Sequence, residues 1–283
     1  MTTEYLKPDD VQADPKRTFM YWVAERERIR HSKMFGVQRP WSSDPVFQTT
    51  YFCNVNREND KVTRWIRQAY YDYRTHYPIV PNMIMARMVN KPKSLDNIHL
   101  HWPWSTFNPH LFRKIMSQPG AWGSAYIVST NGRKAPKHEY IGALLERAWG
   151  AWSGPGGATL PGTLSAAHRA IQGLDGMGSF MAAQVVADIK NTEGSVLEKA
   201  PDWWTFAAHG PGSLRGLSWF WGKQITPASF TEALESARIA VTVIDPVLLS
   251  NVCNQDLQNC FCEFDKYMRV STGTGRSKRK YNG

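Results

Sequence analysis

Two glycines, Gly176 and Gly178, open an apolar helical run that closes on a carboxylate, Asp188, in "GLDGMGSFMAAQVVADI". A glycine turn of this form can present backbone N–H groups at the start of the next helix, where the helix dipole also favours an anion. Gly176, Gly178 and Ser179 are therefore candidates to hold a phosphate, with Asp188 facing whatever carries it. Glu263, Asp265 and Lys266 cluster in "CFCEFDKYMR", and positioned carboxylates of this kind can take a proton from a reacting group. Arg57 and Arg64, preceded by Asn54 and Asn56, make a cationic face for a phosphate or a base edge. Arg215 in "GPGSLRGL" adds a third arginine, with Ser213 and the glycines as neighbouring donors. Arg26 falls on an apolar helical stripe, where an unpaired charge is costly, so it must meet an acid or a phosphate.

The same spacings have plainer readings. Asp60 with Arg64, and Glu263 with Lys266, can be ion pairs on helix faces. Arg26 can snorkel out of its stripe. Of the four cysteines, Cys253, Cys260 and Cys262 lie close together. A C-x-C pair on one helix points its thiols to different faces, so reduced, partly buried thiols are expected and no metal. His99, His101 and His110 read as packing and loop residues.

The elements that position these groups are helical. The pattern at Phe19, Trp22, Val23, Arg26, Ile29 and Arg30 marks a helix from Asp14, with Asp14 as N-cap and Pro15 in the first turn. Ser43 or Asp44 can cap the next one. Further helices are expected over 140–152, 162–172, 179–188, 228–241 and 246–269. The last carries a buried stripe of Leu257, Phe261, Phe264 and Met268, with Asp256, Asn259, Glu263 and Lys266 on a polar face. "SAYIVSTNGRKAPKHEYI" reads as a β-hairpin. "SGPGGATLPGT", over about 153–162, reads as a hinge between subdomains. Residues 1–15 form a flexible arm and 271–283 a basic, disordered tail. The fold class is mainly α, with one small hairpin. A net charge of +10 points to a polyanionic partner, first of all nucleic acid. No apolar run approaches the roughly 20 residues of a spanning helix, and the start lacks a signal-peptide core. An intracellular protein with no membrane partner is the expectation.

The turn with its two flanking helices resembles the helix-hairpin-helix of base-excision DNA glycosylases, which grips a DNA phosphate without reading sequence and flips a base into a pocket between helical subdomains. The lyase members place a lysine where Phe180 stands, so Schiff-base chemistry is not implied; Asp202 is nearest to the family's aspartate. Three blocks narrow the match: "RERIRHSKMFGVQRPWSSDPVFQTTYFCNVNRENDKVTRW", "GPGSLRGL" and "CFCEFDKYMR". Together they resemble a bacteriophage family comprising α-glutamyl/putrescinyl-thymine pyrophosphorylases (amino acid:DNA transferases) and the helical domain of 5-hydroxymethyluracil DNA kinases. The likeness spans about residues 16–270 and implies one glycosylase-like helical domain with a cleft, the hairpin lying at 162–190. The kinase form needs a G-x-x-x-x-G-K-S/T run, which this sequence lacks, and that favours the transferase.

What the resemblance implies is displacement of pyrophosphate from 5-(pyrophosphoryloxymethyl)uracil in DNA by the amine of an amino acid or polyamine. No cofactor is implied, and the protein would act as a monomer in the host cytoplasm. Arg57, Arg64, Arg215 and Ser213 become candidates for the pyrophosphate, with Lys266 as a further cation. Asp188, Glu263 and Asp265 compete as base and amine anchor. Gly176, Gly178, Ser179 and Arg26 are assigned to DNA. A free amino acid would need an arginine for its carboxylate; putrescine would need acids. A glycosylase using Asp188 or Asp202, and an idle DNA-binding partner of the kinase, are the competing functions.

Overall fold

The computed structural model describes residues 13–70, 78–99, 106–123, 130, 132–153 and 156–275. Their regular structure is helical. In chain order the helices are α1 (Pro15–Met34), α2 (Pro45–Thr49), α3 (Lys61–Tyr70), α4 (Ile79–Val89), α5 (Pro92–His99), α6 (Pro109–Met116), α7 (Lys137–Trp152), α8 (Leu164–Gln172), α9 (Ser179–Lys190), α10 (Pro211–Trp221), α11 (Phe230–Ile244) and α12 (Asn254–Ser271). None is long and apolar enough to cross a membrane. The first limb of the expected hairpin falls on residues outside those described, and the end of its second limb is the start of α7.

The chain folds as two compact units. The first takes residues up to Asp60 together with those from Ala207 onward; the second is Lys61–Phe206. The glycine- and proline-rich stretch near 153–162 therefore lies inside the second unit, and the changes of unit come at 60/61 and 206/207. Composition marks a loop there, but unit membership is decided by which helices share a core.

In the first unit the caps are the expected ones. The Asp14 side chain accepts from Arg17 N–H (3.0 Å) and that of Asp44 from Val46 N–H (2.8 Å), each followed by proline. Phe19 of α1 stacks on Phe261 of α12 (centroids 4.3 Å apart) and meets Phe220 and Phe264 edge-on. Each such buried ring contributes roughly 1.5–3 kcal/mol of transfer free energy. Helix α12 is the centre of this unit, packed by α1, α2, α10 and α11. Its expected polar face is accordingly only partly solvated: Asp256 and Glu263 are buried along with the apolar stripe, as is Asp265, while Asn259 and Lys266 are half-buried. A helix packed by four others keeps little outer side, so its buried polar groups must find partners inside.

Helices α10 and α12 approach closely because α10 carries Gly212 and Gly216 four residues apart. A Cβ at Gly216 would lie 2.0 Å from the Phe261 carbonyl oxygen, and one at Gly212 2.5 Å from Cys262 Sγ. Gly212 and Gly216 of "GPGSLRGL" thus serve helix packing. Gly216→Ala should separate the two helices and destabilise the unit by about 3 kcal/mol, read as a lowered guanidinium midpoint. An unchanged midpoint would refute the tight crossing.

In the second unit α4 is the central helix, buried at almost every position and packed by α5, α7 and α9. Met83, Ile84, Ala86 and Val89 join Leu144 and Leu145 of α7 and Val185 and Val186 of α9 in one core. Helices α8 and α9 and the turn between them match the expected spans closely.

Candidate functional site

Around residues 51–54 the first unit gathers three of the side chains singled out by type. Glu263 Oε2 accepts from the Cys53 N–H (3.0 Å) and from Lys266 Nζ (2.7 Å). Lys266 Nζ also donates to the Tyr51 carbonyl (3.2 Å) and stands 5.3 Å from the centre of the Phe52 ring. Arg26 reaches the same segment from α1: its Nε donates to the carbonyls of Cys53 (2.9 Å) and Phe52 (3.3 Å), and Nη2 to Asn54 Oδ1. Arg26 is therefore buried inside the unit, and its protein partners are carbonyls rather than a carboxylate. Burial lowers its pKa, partly countered by Glu27, Tyr51, Cys53 and Glu263. Arg57 follows in a short 3-10 turn, its N–H donating to Asp256 Oδ1 (3.1 Å). Glu263 and Lys266 do form the plain i,i+3 pair, but with the carboxylate almost wholly out of water. A surface pair is worth under about 1 kcal/mol; a buried carboxylate is held only if its charge is met.

Two residues along α12, about 200° round the helix, Asp265 takes a second set of partners. Its Oδ2 accepts from Arg215 (Nη2 2.9 Å, Nε 3.1 Å) and from Arg269 Nε (3.1 Å), while the buried Oδ1 has no partner among the described residues. Arg215 is 54% exposed, and Asp265 raises its pKa by hydrogen bonding. With Trp219, Lys223 and Gln224 these residues line an open cleft of about 780 Å³. Three cations and one carboxylate leave it net positive. Ser213 is not part of it: it is fully buried, and its Oγ accepts from the Gly210 N–H (3.0 Å) at the start of α10.

The second unit holds the glycine turn. Gly176 has φ +94°, and a Cβ there would come within 2.9 Å of the Tyr140 hydroxyl, so glycine is required on both counts. Gly178 is the N-cap of α9, with no side-chain cap, and is exposed. The Ser179 hydroxyl lies 3.3 Å from His168 Nε2. Asp188 does not face a pocket. It is fully buried, with both oxygens on the guanidinium of Arg87. Asp202 caps α8, accepting from Leu164 N–H (2.7 Å) and Ser165 N–H (2.9 Å). Burial raises its pKa, but the donors at Ser165 and Leu164 outweigh it and leave the carboxyl below its usual range. Arg64 lines a shallow cleft with Arg67, Gln68 and Glu193. Arg57 and Arg64 thus belong to different units and share no helix face.

Burial pushes the thiols of Cys53 and Cys262 up to about 12 and about 11, and that of Cys260 well above its ordinary value. Among the described residues no cluster of three or more His, Cys, Asp or Glu is arranged to hold a metal. Iodoacetamide at pH 8 should label these three cysteines about 100-fold more slowly than a free thiol, with all four cysteines labelled after unfolding. Fast native labelling of Cys53 or Cys262 would contradict that environment.

Two charged partners escaped notice in the sequence. Arg269 lies four residues after Asp265, the spacing of a helical ion pair. Arg87 is a lone charge inside the apolar run "IVPNMIMARMV", which is itself a sign of a buried counter-ion.

These features define a class: a protein whose described residues are mainly helical, the central helix of the first unit carrying a buried carboxylate–ammonium pair and, round its axis, an arginine-lined cleft. The profile described as "5-hmdU DNA kinase, helical domain" matches residues 14–277. The chain belongs to that family. A 5-hmdU DNA kinase of Bacillus phage SP10 is 28% identical over 116 aligned positions, covering 35% of this chain and 18% of the kinase. The match thus takes in under a fifth of that relative's length. No solved structure matches.

Proposed function

We propose that the protein modifies thymine-type bases in DNA, displacing pyrophosphate from 5-(pyrophosphoryloxymethyl)uracil with an amine. The observation that carries this reading is the Glu263–Lys266 pair, held 2.7 Å apart beside the 51–54 segment in a chain of the 5-hmdU DNA kinase helical family. In the reaction a C–N bond forms at the exocyclic methylene carbon and the C–O bond breaks, its electron pair leaving on pyrophosphate. The proton lost by the amine passes to the Glu263 carboxylate. Lys266 supplies positive charge as the leaving group develops its own. The net-positive cleft of Arg215, Lys223 and Arg269 suits DNA phosphates, with Asp265 positioning the two arginines. The uncapped start of α9 after Gly178 offers N–H groups to a further phosphate, in the manner of a helix-hairpin-helix in a glycosylase-like fold.

A glycosylase reading is less well supported, because Asp188 is locked to Arg87 and Asp202 to the start of α8. The test is nucleoside mass spectrometry. DNA containing 5-(pyrophosphoryloxymethyl)uracil is incubated with the protein and a mixture of amino acids and polyamines, then digested. A new thymidine adduct with released pyrophosphate is expected. Abasic sites would establish a glycosylase instead, and unchanged nucleosides would remove the transferase reading.

A further inference from the structure

Helix α11 packs on α10 and α12 and buries Phe230, Leu234, Ala237 and Val241. Its C-terminal end and the turn that follows leave large apolar side chains in water: Ile239 is 58% exposed, Val243 79%, Ile244 63% and Val247 75%. Exposed Thr242 and Pro246 and half-buried Ala240 and Leu248 lie between or beside them in the chain. From 239 to 250 the sequence has one charged residue, Asp245. Its carboxylate is turned back on the chain, accepting from the N–H groups of Val247 (3.0 Å) and Leu248 (3.1 Å). Arg238, the neighbouring cation, is turned to Asn254 Oδ1 (2.8 Å). Single apolar residues scattered over a surface need no explanation, but an uncharged group of this kind marks a contact.

A chain with a net charge of +10 is drawn to DNA or to an anionic membrane. Both need cations at the contact, and this stretch presents none. What fits it is an equally apolar, uncharged surface, and a second copy brings one. Two copies repel each other through their net charge; at this patch they meet without like charges. The size also suits a pair. Four such side chains present on the order of 100 Å² each, and with their neighbours about 600 Å² per copy. Across two copies that is about 1,200 Å², the lower end of stable interfaces. We propose that this end of α11 is a homodimer surface, two copies pairing about a two-fold axis close to Val243. Ile239 and Val243, four residues apart, share one face of the helix, so an antiparallel copy can lay its own stripe alongside. Exposed Glu232 and Ser236, towards the start of α11, form the polar rim. The pairing does not rest on the transferase reading and stands or falls separately from it.

Sedimentation velocity of the intact protein, without DNA, from about 1 to 300 µM tests the pairing. A species of twice the chain mass is expected, half-formed at roughly 10 µM, as suits an interface of this size. Added NaCl should leave it unchanged, and ammonium sulfate should strengthen it, because burial of apolar surface drives it. Val243→Asp should weaken association at least 100-fold and melt as wild type, since the side chain stands in water. Val243→Cys should be cross-linked to a second copy by a short bismaleimide. Ser236→Cys, two turns back on the same helix, should not. If Val243→Asp folds poorly, the cross-linking pair decides alone. A chain that stays monomeric throughout overturns the proposal. So does a dimer that Val243→Asp leaves intact, one that NaCl dissociates, or one cross-linked through Ser236→Cys in preference to Val243→Cys.

Discussion

Glu263→Gln is expected to lower the turnover of pyrophosphorylated DNA by about 10²- to 10⁴-fold, the usual contribution of a positioned general base. The amide is nearly isosteric, and its oxygen can still accept from the Cys53 N–H and from Lys266. The fold should therefore survive, and KM for DNA should change little, because the cationic cleft round Arg215 is untouched. What is lost is the group that receives the amine proton. Steady-state kinetics by pyrophosphate release, with a melting curve as control, decides the matter. Full turnover in a folded Glu263→Gln protein would move the assignment to Asp265, the other candidate base on this helix, and Asp265→Asn would be the next variant. Asp265 differs in that Arg215 and Arg269 both bind one of its oxygens, so its loss should show first as weaker DNA binding and a shallower salt slope.

The second large effect concerns stability. Asp188→Asn should destabilise the second unit by about 3–5 kcal/mol, because Arg87 would be left charged and buried without its counter-ion. Arg87 Nη2 also donates to Thr63 Oγ1 (2.7 Å), so the pair ties α3, α4 and α9 together. The melting transition of that unit should fall by roughly 10 °C. Replacing both partners by apolar residues, as in Arg87→Met with Asp188→Leu, should recover most of the loss, since it removes both desolvation penalties at once. The opposite pattern is also informative. A variant that melts normally but no longer turns over would mean that Asp188 works at the substrate after all.

Local signals in the sequence reported local structure well. Asp14-Pro15 and Asp44-Pro45 marked two helix starts because an acidic cap followed by proline satisfies the first N–H groups wherever it occurs. The hairpin of α8 and α9 was legible from its glycine turn for a comparable reason: at Gly176 a left-handed φ beside a close neighbour admits little else. Misreadings arose where distant residues decide. Asp188 looked like a pocket residue because Arg87 is 101 positions away. The polar side of α12 looked solvated because nothing in its own 18 residues shows that four other helices surround it. Of the candidate site, Glu263, Lys266, Arg215 and Asp265 were chosen by residue type, and the structure sorts them into two sets around α12, Arg215 reaching Asp265 from α10. Ser213 was misassigned because a capping hydroxyl and a ligand-binding hydroxyl look alike in a string of letters.

The first unit is assembled from two stretches of chain separated by the 146 residues of Lys61–Phe206. This has a consequence for synthesis. When the ribosome has made α1 and α2, Tyr21 can meet Phe47 but Phe19 lacks its aromatic partners, for Phe220, Phe261 and Phe264 come more than 200 residues later. The inserted unit, whose helices are contiguous, can form while the chain is still being extended. Were the insert a flexible loop, joining its ends would cost about 4 kcal/mol in chain entropy; once folded it is no longer a loose tether. The nascent chain therefore gains its carboxylate–ammonium pair and its arginine cleft only when α12 emerges, and a stalled or truncated product would carry the glycine turn without either.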